Sequence, residues 1–354
     1  MLSVSGCGSL AYYAQSVRGQ LGVMAATRPV EDVLDDPTTP SDVRERLAQL
    51  DRLRRFAVKQ LWLPDSGSYR SYADLRREAM VWSVFAAPFD SLEPKTWCYP
   101  FVGCANYRGY FRRADAEAFA EGLAAQGLDT AVEPVPAYST LGWFSDPLPS
   151  TVVHWPLPDM AGLIFHELAH ERLYLAGDSA FNEAYASVVE RAGVARWLQH
   201  FGTPRARRDH TLRQGYRKDF LALLAHTRKR LETLYAERTE AARVKARKRA
   251  ILQRMGDEYV ELKERWGGFA GYDRWFARPL NNAHLISVST YNAWVPAFEQ
   301  LLHEVDSDMR AFHRACERLA DVPRDRRETY LREAVERAAL STDALNADSV
   351  GATD

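Results

Sequence analysis

No stretch of 18 consecutive apolar residues occurs in this chain, so no transmembrane helix is written in it. An excess of either charge is missing too. The 46 Lys and Arg residues stand against 47 Asp and Glu, a net charge of −1. That balance gives no electrostatic case for a nucleic-acid partner. Cysteine is scarce, with four in 354 residues, and no two pairs of them have metal-site spacing. A four-thiolate zinc site is thereby excluded. Internal repeats are absent, which removes solenoids and propellers. Apolar residues make up 46% of the chain, enough for a core in one large or two modest domains.

Histidine is also sparse, at nine residues, yet two of them fall four apart in His166-Glu167-Leu168-Ala169-His170. A chance match to this pattern is rare, on the order of one per cent for such a composition. On a helix the two imidazoles project from one face, one turn apart, and can hold one zinc ion together. Glu167 lies about 100° round the helix from His166, beside the metal rather than on it. There it can take a proton from water activated by the metal. Met160 to Phe165 precede the motif and are largely apolar, so the helix carries it into the core. Two buried histidines without partners would be costly, and hydrogen-bonded core histidines are the competing reading.

A third ligand is expected from the next helix. Asp178 reads as its N-cap, with Ser179 the alternative, and the helix is expected from about Ala180 to Gln199. Gly177 reads as the stop of the first helix. So short a connection makes the two helices antiparallel neighbours. Glu183, 13 residues after His170, then turns back toward both histidines. The competing reading of Glu183 is a charge favoured by the helix dipole.

The remaining cysteines leave alternatives open. Val4-Ser5-Gly6-Cys7 fits a bacterial lipoprotein cleavage site, with lipid on Cys7, but six preceding residues are too few for a signal peptide. Cys7 is either a lipid anchor in a chain started late or an ordinary cysteine. Cys98 and Cys104 would form a small disulfide loop in an oxidising compartment and two buried thiols in cytosol. Cys316 reads as core.

Along the chain, 1–28 reads as an N-terminal helix from Leu10, and 29–204 as the catalytic region. Within the latter, 29–40 is a turn-rich linker, and Ser41 an N-cap before an apolar stripe running to Val58. Strands are expected at Glu78–Phe89, Thr96–Val102, Arg108–Arg112, Thr130–Pro134 and Tyr138–Phe144, with a helix at Ala114–Gln126 ended by Gly127. Apolar residues recur at helical spacing through 205–265, which reads as a long helical hairpin. Its basic cluster, Arg243 to Arg249, reads as a solvated face, with contact to anionic lipid headgroups the competing reading. A C-terminal helical region at 266–345 and a disordered tail at 346–354 complete the reading. The fold class expected is α+β, helix-rich, with a small mixed β-sheet.

The zinc segment and Asn182-Glu183-Ala184-Tyr185-Ala186 resemble the gluzincins, zinc peptidases with two histidines on one helix and a glutamate on the next. More narrowly, the chain looks like a family of predicted bacterial aminopeptidases, usually described as lipoproteins. That likeness runs through Ser5–Leu10, Thr96–Pro100, Tyr107–Phe111, Tyr138–Phe144, Asn281–Ala283 and Tyr291–Pro296. It implies a zincin-like fold and one zinc ion on His166, His170 and Glu183, with Glu167 as general base. Asn182, Ser187 and Glu190 are candidates to support the ligands. Ser187 stands where thermolysin-like enzymes have an aspartate, so Glu190 is either its replacement or a solvated charge.

The likeness also implies a peptide substrate. It favours lipid on Cys7, hence a periplasmic, lipid-anchored enzyme if the start is truncated and a cytoplasmic one otherwise. In similar enzymes an edge strand pairs with extended substrate, and Tyr138, Ser139, Thr140, Leu141, Gly142 and Trp143 are the candidate here, or else an internal strand. Tyr291 is the candidate oxyanion donor, His284 its rival, and packing the competing role for Tyr291. The Gly-x-Met-Glu-Asn segment that holds the free amine in the best-known zinc aminopeptidases has no match, so exo- versus endopeptidase stays open. The alternative class is an envelope binding or chaperone-like protein in which zinc only secures the fold.

Overall fold

In the computed structural model residues 6–99, 103–237, 239–289 and 294–350 are described, with side chains over 11–99, 103–237, 239–288 and 294–337. Helix α1 (Gly6–Ala25) leads through β1 (Thr27–Pro29) to α2 (Val30–Asp35), α3 (Ser41–Leu47) and α4 (Leu50–Leu61). A short helix therefore occupies part of the expected linker. Pro40, not Ser41, holds the cap position of α3, and no side chain bonds there. Its fixed φ suits helix entry without a capping hydroxyl.

The strands β2 (Ser71–Ala73), β3 (Val81–Pro88), β4 (Trp97–Tyr99), β5 (Gly103–Ala105) and β6 (Arg108–Tyr110) precede α5 (Arg113–Ala124) and β7 (Leu128–Val135). Gly127 turns between α5 and β7 at φ +84, as its position after the helix predicts. After β8 (Leu148–Pro149) come α6 (Ser150–Val153), α7 (Leu157–Arg172) and α8 (Ser179–Phe201). The chain closes with α9 (Pro204–Ala236), α10 (Ala241–Arg265), α11 (Asp273–Phe276), α12 (Asn282–Ser289), α13 (Val295–Glu304), α14 (Met309–Ala320) and α15 (Arg324–Val350). Helix α15 runs into the stretch expected as a tail from 346, and 351–354 lie outside the described residues.

Helices dominate, and the described strands form small sheets, so the class is α+β. One sheet is mixed, with β2 antiparallel to β1 and parallel to β8. A second is antiparallel in the order β6-β3-β7, and β4 and β5 form a hairpin. Strand alternation gives the second sheet two distinct faces. Val84, Ala86 and Val132 pack against α5, while Phe85, Ala87 and Ala131 pack against Ala283 and Ile286 of α12. Strand β7 is an edge strand.

The segment Tyr138–Phe144 is not a strand. Its own polar side chains explain the difference. Ser139 Oγ accepts from Leu141 N at 3.0 Å, Thr140 Oγ1 from Phe144 N at 3.1 Å, and Asp146 Oδ2 from Thr140 N at 2.8 Å. Such bonds offer the backbone an alternative to a sheet ladder. Leu141 and Gly142 both take positive φ, at 57 and 78.

The main core surrounds α7 and α8. Phe165, Phe181, Tyr185, Phe298 and Phe312 are fully buried there. The α9–α10 hairpin forms as the helical spacing predicts, and packs a separate core with Phe220, Leu231, Met255 and Tyr259. Its basic cluster is less solvated than expected. Lys248 is buried against Asp129 and donates to Phe89 O at 3.0 Å.

Candidate metal centre and its cleft

Helix α7 buries Met160, Ala161, Ile164, Phe165, Leu168 and Ala169, each at most 2% exposed. That apolar stripe fixes the rotation of the helix, so His166 and His170 face α8. Glycine lets the two helices close. A Cβ at Gly193 of α8 would lie 2.6 Å from Phe165, and one at Gly162 would lie 3.3 Å from Glu190 Cγ.

The turn between the helices is pinned from several sides. Helix α7 ends at Arg172, earlier than Gly177, which sits in the turn at φ +81. Asn182 bonds Leu175 twice, accepting from its N at 2.8 Å and donating to its O at 2.9 Å. Asp178 caps α8 by accepting from Phe181 N at 3.1 Å. Its other oxygen accepts from Arg327 Nη2 of α15 at 2.9 Å, in a buried ion pair. The β4–β5 hairpin abuts the same turn, since a Cβ at Gly103 would lie 2.7 Å from Gly177 N. Cys98 and Cys104 are joined by a disulfide across that hairpin, and Cys316 is a buried free thiol.

These constraints set Glu183 in the second turn of α8, opposite the histidines. His166 Nε2 lies 3.2 Å from His170 Nε2 and 3.3 Å from Glu183 Oε2, and His170 Nε2 lies 3.8 Å from Glu183 Oε1. Ligand atoms about 2.0–2.2 Å from a tetrahedral ion stand about 3.3–3.6 Å apart. Two of the separations are close to that spacing and the one from His170 to Glu183 is longer, so His166, His170 and Glu183 form a group that can hold one metal ion. Two ring nitrogens aimed at each other need a shared proton or a cation between them.

Burial and mutual charge act on every group of this cluster. Burial pushes Glu167 up to about 7, while the nearby His166 pulls it the other way. Burial pushes His170 down to about 4. Burial also disfavours charged His166, but its bonds to Glu183 and Glu190 reverse this and raise it well above the usual value. The same bonds hold Glu183 and Glu190 low against burial.

Glu190 Oε2 lies 3.1 Å from His166 Nδ1, on the ring nitrogen away from the metal position. Glu190 is thus paired with His166 and is not a solvated charge. Ser187 is buried, but the bond to His166 comes from Glu190. His284 is turned away: it is buried against Asn281, its Nδ1 2.9 Å from Asn281 Oδ1, and it is no part of the cleft lining. Capping contacts at the start of α12 capture that ring. Tyr291 lies outside the described residues, and so does the side chain of Cys7. Residues 138–143 do not line the cleft either; β7 and its extension to Ala137 do.

The cleft over the metal position has a volume of ≈ 670 Å³. Phe85, Trp155, Phe269, Tyr272 and Trp275 make it partly aromatic. His210, Arg213, Gln214 and Arg217 of α9 form one wall, spaced as one helix face. Sequence reasoning missed this wall, although a cluster at i, i+3, i+4 and i+7 was its available signal. Tyr107 lies close enough to feel the charges of Glu183 and Glu167. It packs on Phe85, and burial followed by the charge of Glu183 raises its phenol.

A family model described as "Putative aminopeptidase" matches residues 11–331. No curated protein and no solved structure matches the chain.

Proposed function

The chain belongs to the family described as "Putative aminopeptidase", and we propose that it is a zinc-dependent peptidase acting on the N-terminal residue of peptides in the cell envelope. The observation that carries this reading is the triangle of His166, His170 and Glu183 ligand atoms, with Glu167 buried beside it. When bound, zinc supplies a Lewis acid that makes water nucleophilic near neutral pH. Glu167, pushed up to about 7, is matched to take the proton of the attacking water and return it to the leaving amine. Glu190 holds the His166 ring through Nδ1, so its Nε2 stays directed at the metal. Phe85, Trp155 and Trp275 give the cleft an apolar part, where charge interactions are stronger than in water.

A structural zinc in a binding or chaperone-like protein calls for four protein ligands. Among the described residues three converge, which favours an open position. The envelope location is supported by the Cys98–Cys104 disulfide, which persists in oxidising compartments. The test is zinc-loaded protein against a peptide library with free and blocked termini. Glu167→Gln should keep its zinc and lose hydrolysis, because the base goes while the ligands remain. Near-normal turnover in that variant would sink the mechanism.

A further inference from the structure

An aminopeptidase must hold an ammonium group, and the cleft offers five carboxylates: Glu133, Asp159, Glu167, Glu183 and Glu190. Three of them already serve the metal centre. Asp159 lies two helical turns before His166, about 10.5 Å along the axis. Its side chain is 42% exposed, 3.9 Å from Arg213, where a charge pair contributes little. Glu133 is different. Its side chain is 19% exposed, and it stands on the face of β7 that also carries Ala131, the face shared with Phe85. Arg278 Nη1 lies 3.0 Å from both oxygens but donates to Oε2, and Oε1 is buried without a hydrogen bond. A carboxylate has about four acceptor sites, so capacity remains.

The strand edge itself points the same way. Val135 O turns inward, accepting from Met80 N at 2.9 Å. Thr130 O and Pro136 O turn outward, accepting from Asn281 Nδ2 and Thr151 Oγ1. Alternation therefore puts the outward backbone at residues 130, 132, 134 and 136. In the part lining the cleft, 134 and 136 are prolines and have no N–H. Substrate cannot accept a ladder of backbone bonds along this edge. Carbonyl oxygens alone remain for backbone contacts here, and a full negative charge to single out an ammonium group must come from a side chain.

We propose that Glu133 holds the α-ammonium group of the substrate and thereby sets preference for a free N-terminus. This rests on the peptidase reading. Substrate would enter with its first residue against β7 and its scissile carbonyl at the metal position.

The experiment uses full-length, zinc-loaded protein with amino-acid p-nitroanilides, amine free or acetylated, and zinc content measured alongside. Glu133→Gln should lower kcat/KM for the free-amine substrate by about 10–100-fold, mainly through KM, and leave the acetylated one unchanged. Zinc stoichiometry should stay at the wild-type value. Glu133→Asp should recover part of the preference, and Asp159→Asn should keep the discrimination between free and acetylated substrates. Full discrimination in Glu133→Gln, or its loss in Asp159→Asn, overturns the proposal. Calorimetry with leucinamide and N-acetyl-leucinamide separates the two readings. If neither anilide is cleaved but leucinamide binds in a Glu133-dependent way, the peptidase reading fails and the amine site stands. Equal binding of both amides by wild type overturns the amine site itself.

Discussion

Glu190 offers the sharpest test of how the metal centre is built. It touches no metal position, and its contact is the 3.1 Å bond to His166 Nδ1. Partners of this kind typically change metal affinity by 10–100-fold, about 1.4–2.7 kcal/mol. The two side chains are 16% and 32% exposed, so the bond is partly shielded from solvent. Glu190→Gln keeps an acceptor oxygen and loses the charge, which places it near the tenfold end. Glu190→Ala loses both and belongs near the hundredfold end. The charge of Arg217, which acts on Glu190, adds to the penalty by facing the incoming cation less compensated. Chelator competition at fixed pH measures the affinities. Thermal melting in excess chelator shows whether the apo fold is intact. Zinc affinity within twofold of wild type in both variants, at equal apo stability, would refute the argument that Glu190 tunes His166.

Glu183→Ala should weaken zinc binding more than either Glu190 variant, because a ligand atom is lost; unchanged metal content by mass spectrometry would move the third ligand elsewhere. Replacing Cys98 and Cys104 together by Ser should cost about 2 kcal/mol in denaturant unfolding, the loop-closure contribution of a short loop, and an unchanged midpoint would count against the pairing. Arg327→Ala should cost about 3–5 kcal/mol by leaving Asp178 buried without its cation, a loss read from urea unfolding; a cost under 1 kcal/mol would mean that water replaces the guanidinium.

What was legible in the sequence was local. The spacing of His166 and His170 fixes a shared helix face, and Asp178 followed by an apolar segment fixes where α8 begins. Both are set within one or two turns, and the structure places them there. The strand expected at Tyr138–Phe144 failed for an equally local reason that was misread: Ser139 and Thr140 are turn formers, and their hydroxyls bond the backbone. His284 failed because a polar residue in an apolar segment can satisfy itself on Asn281. Glu190 was ambiguous because its role depends on the rotation of α8 against α7. Glu133 was beyond reach, and of the α9 wall only its shared helix face was legible, not its place at the site. They join the site from segments 33 residues before and 44 residues after His166, through sheet order and hairpin packing that no spacing encodes.

The α9–α10 hairpin packs its own core, apart from the one that holds α7 and α8. The cleft lies between them, with His166 and Glu183 on the α7–α8 side and His210, Arg213, Gln214 and Arg217 on the hairpin side. That face of α9 supplies none of His166, His170 and Glu183, and reaches their helices through side-chain charge, Arg213 beside Asp159 and Arg217 acting on Glu190. Diverging members of the family can therefore exchange what they select while inheriting the same chemistry, and change in the hairpin should run faster than change in the helices beneath it.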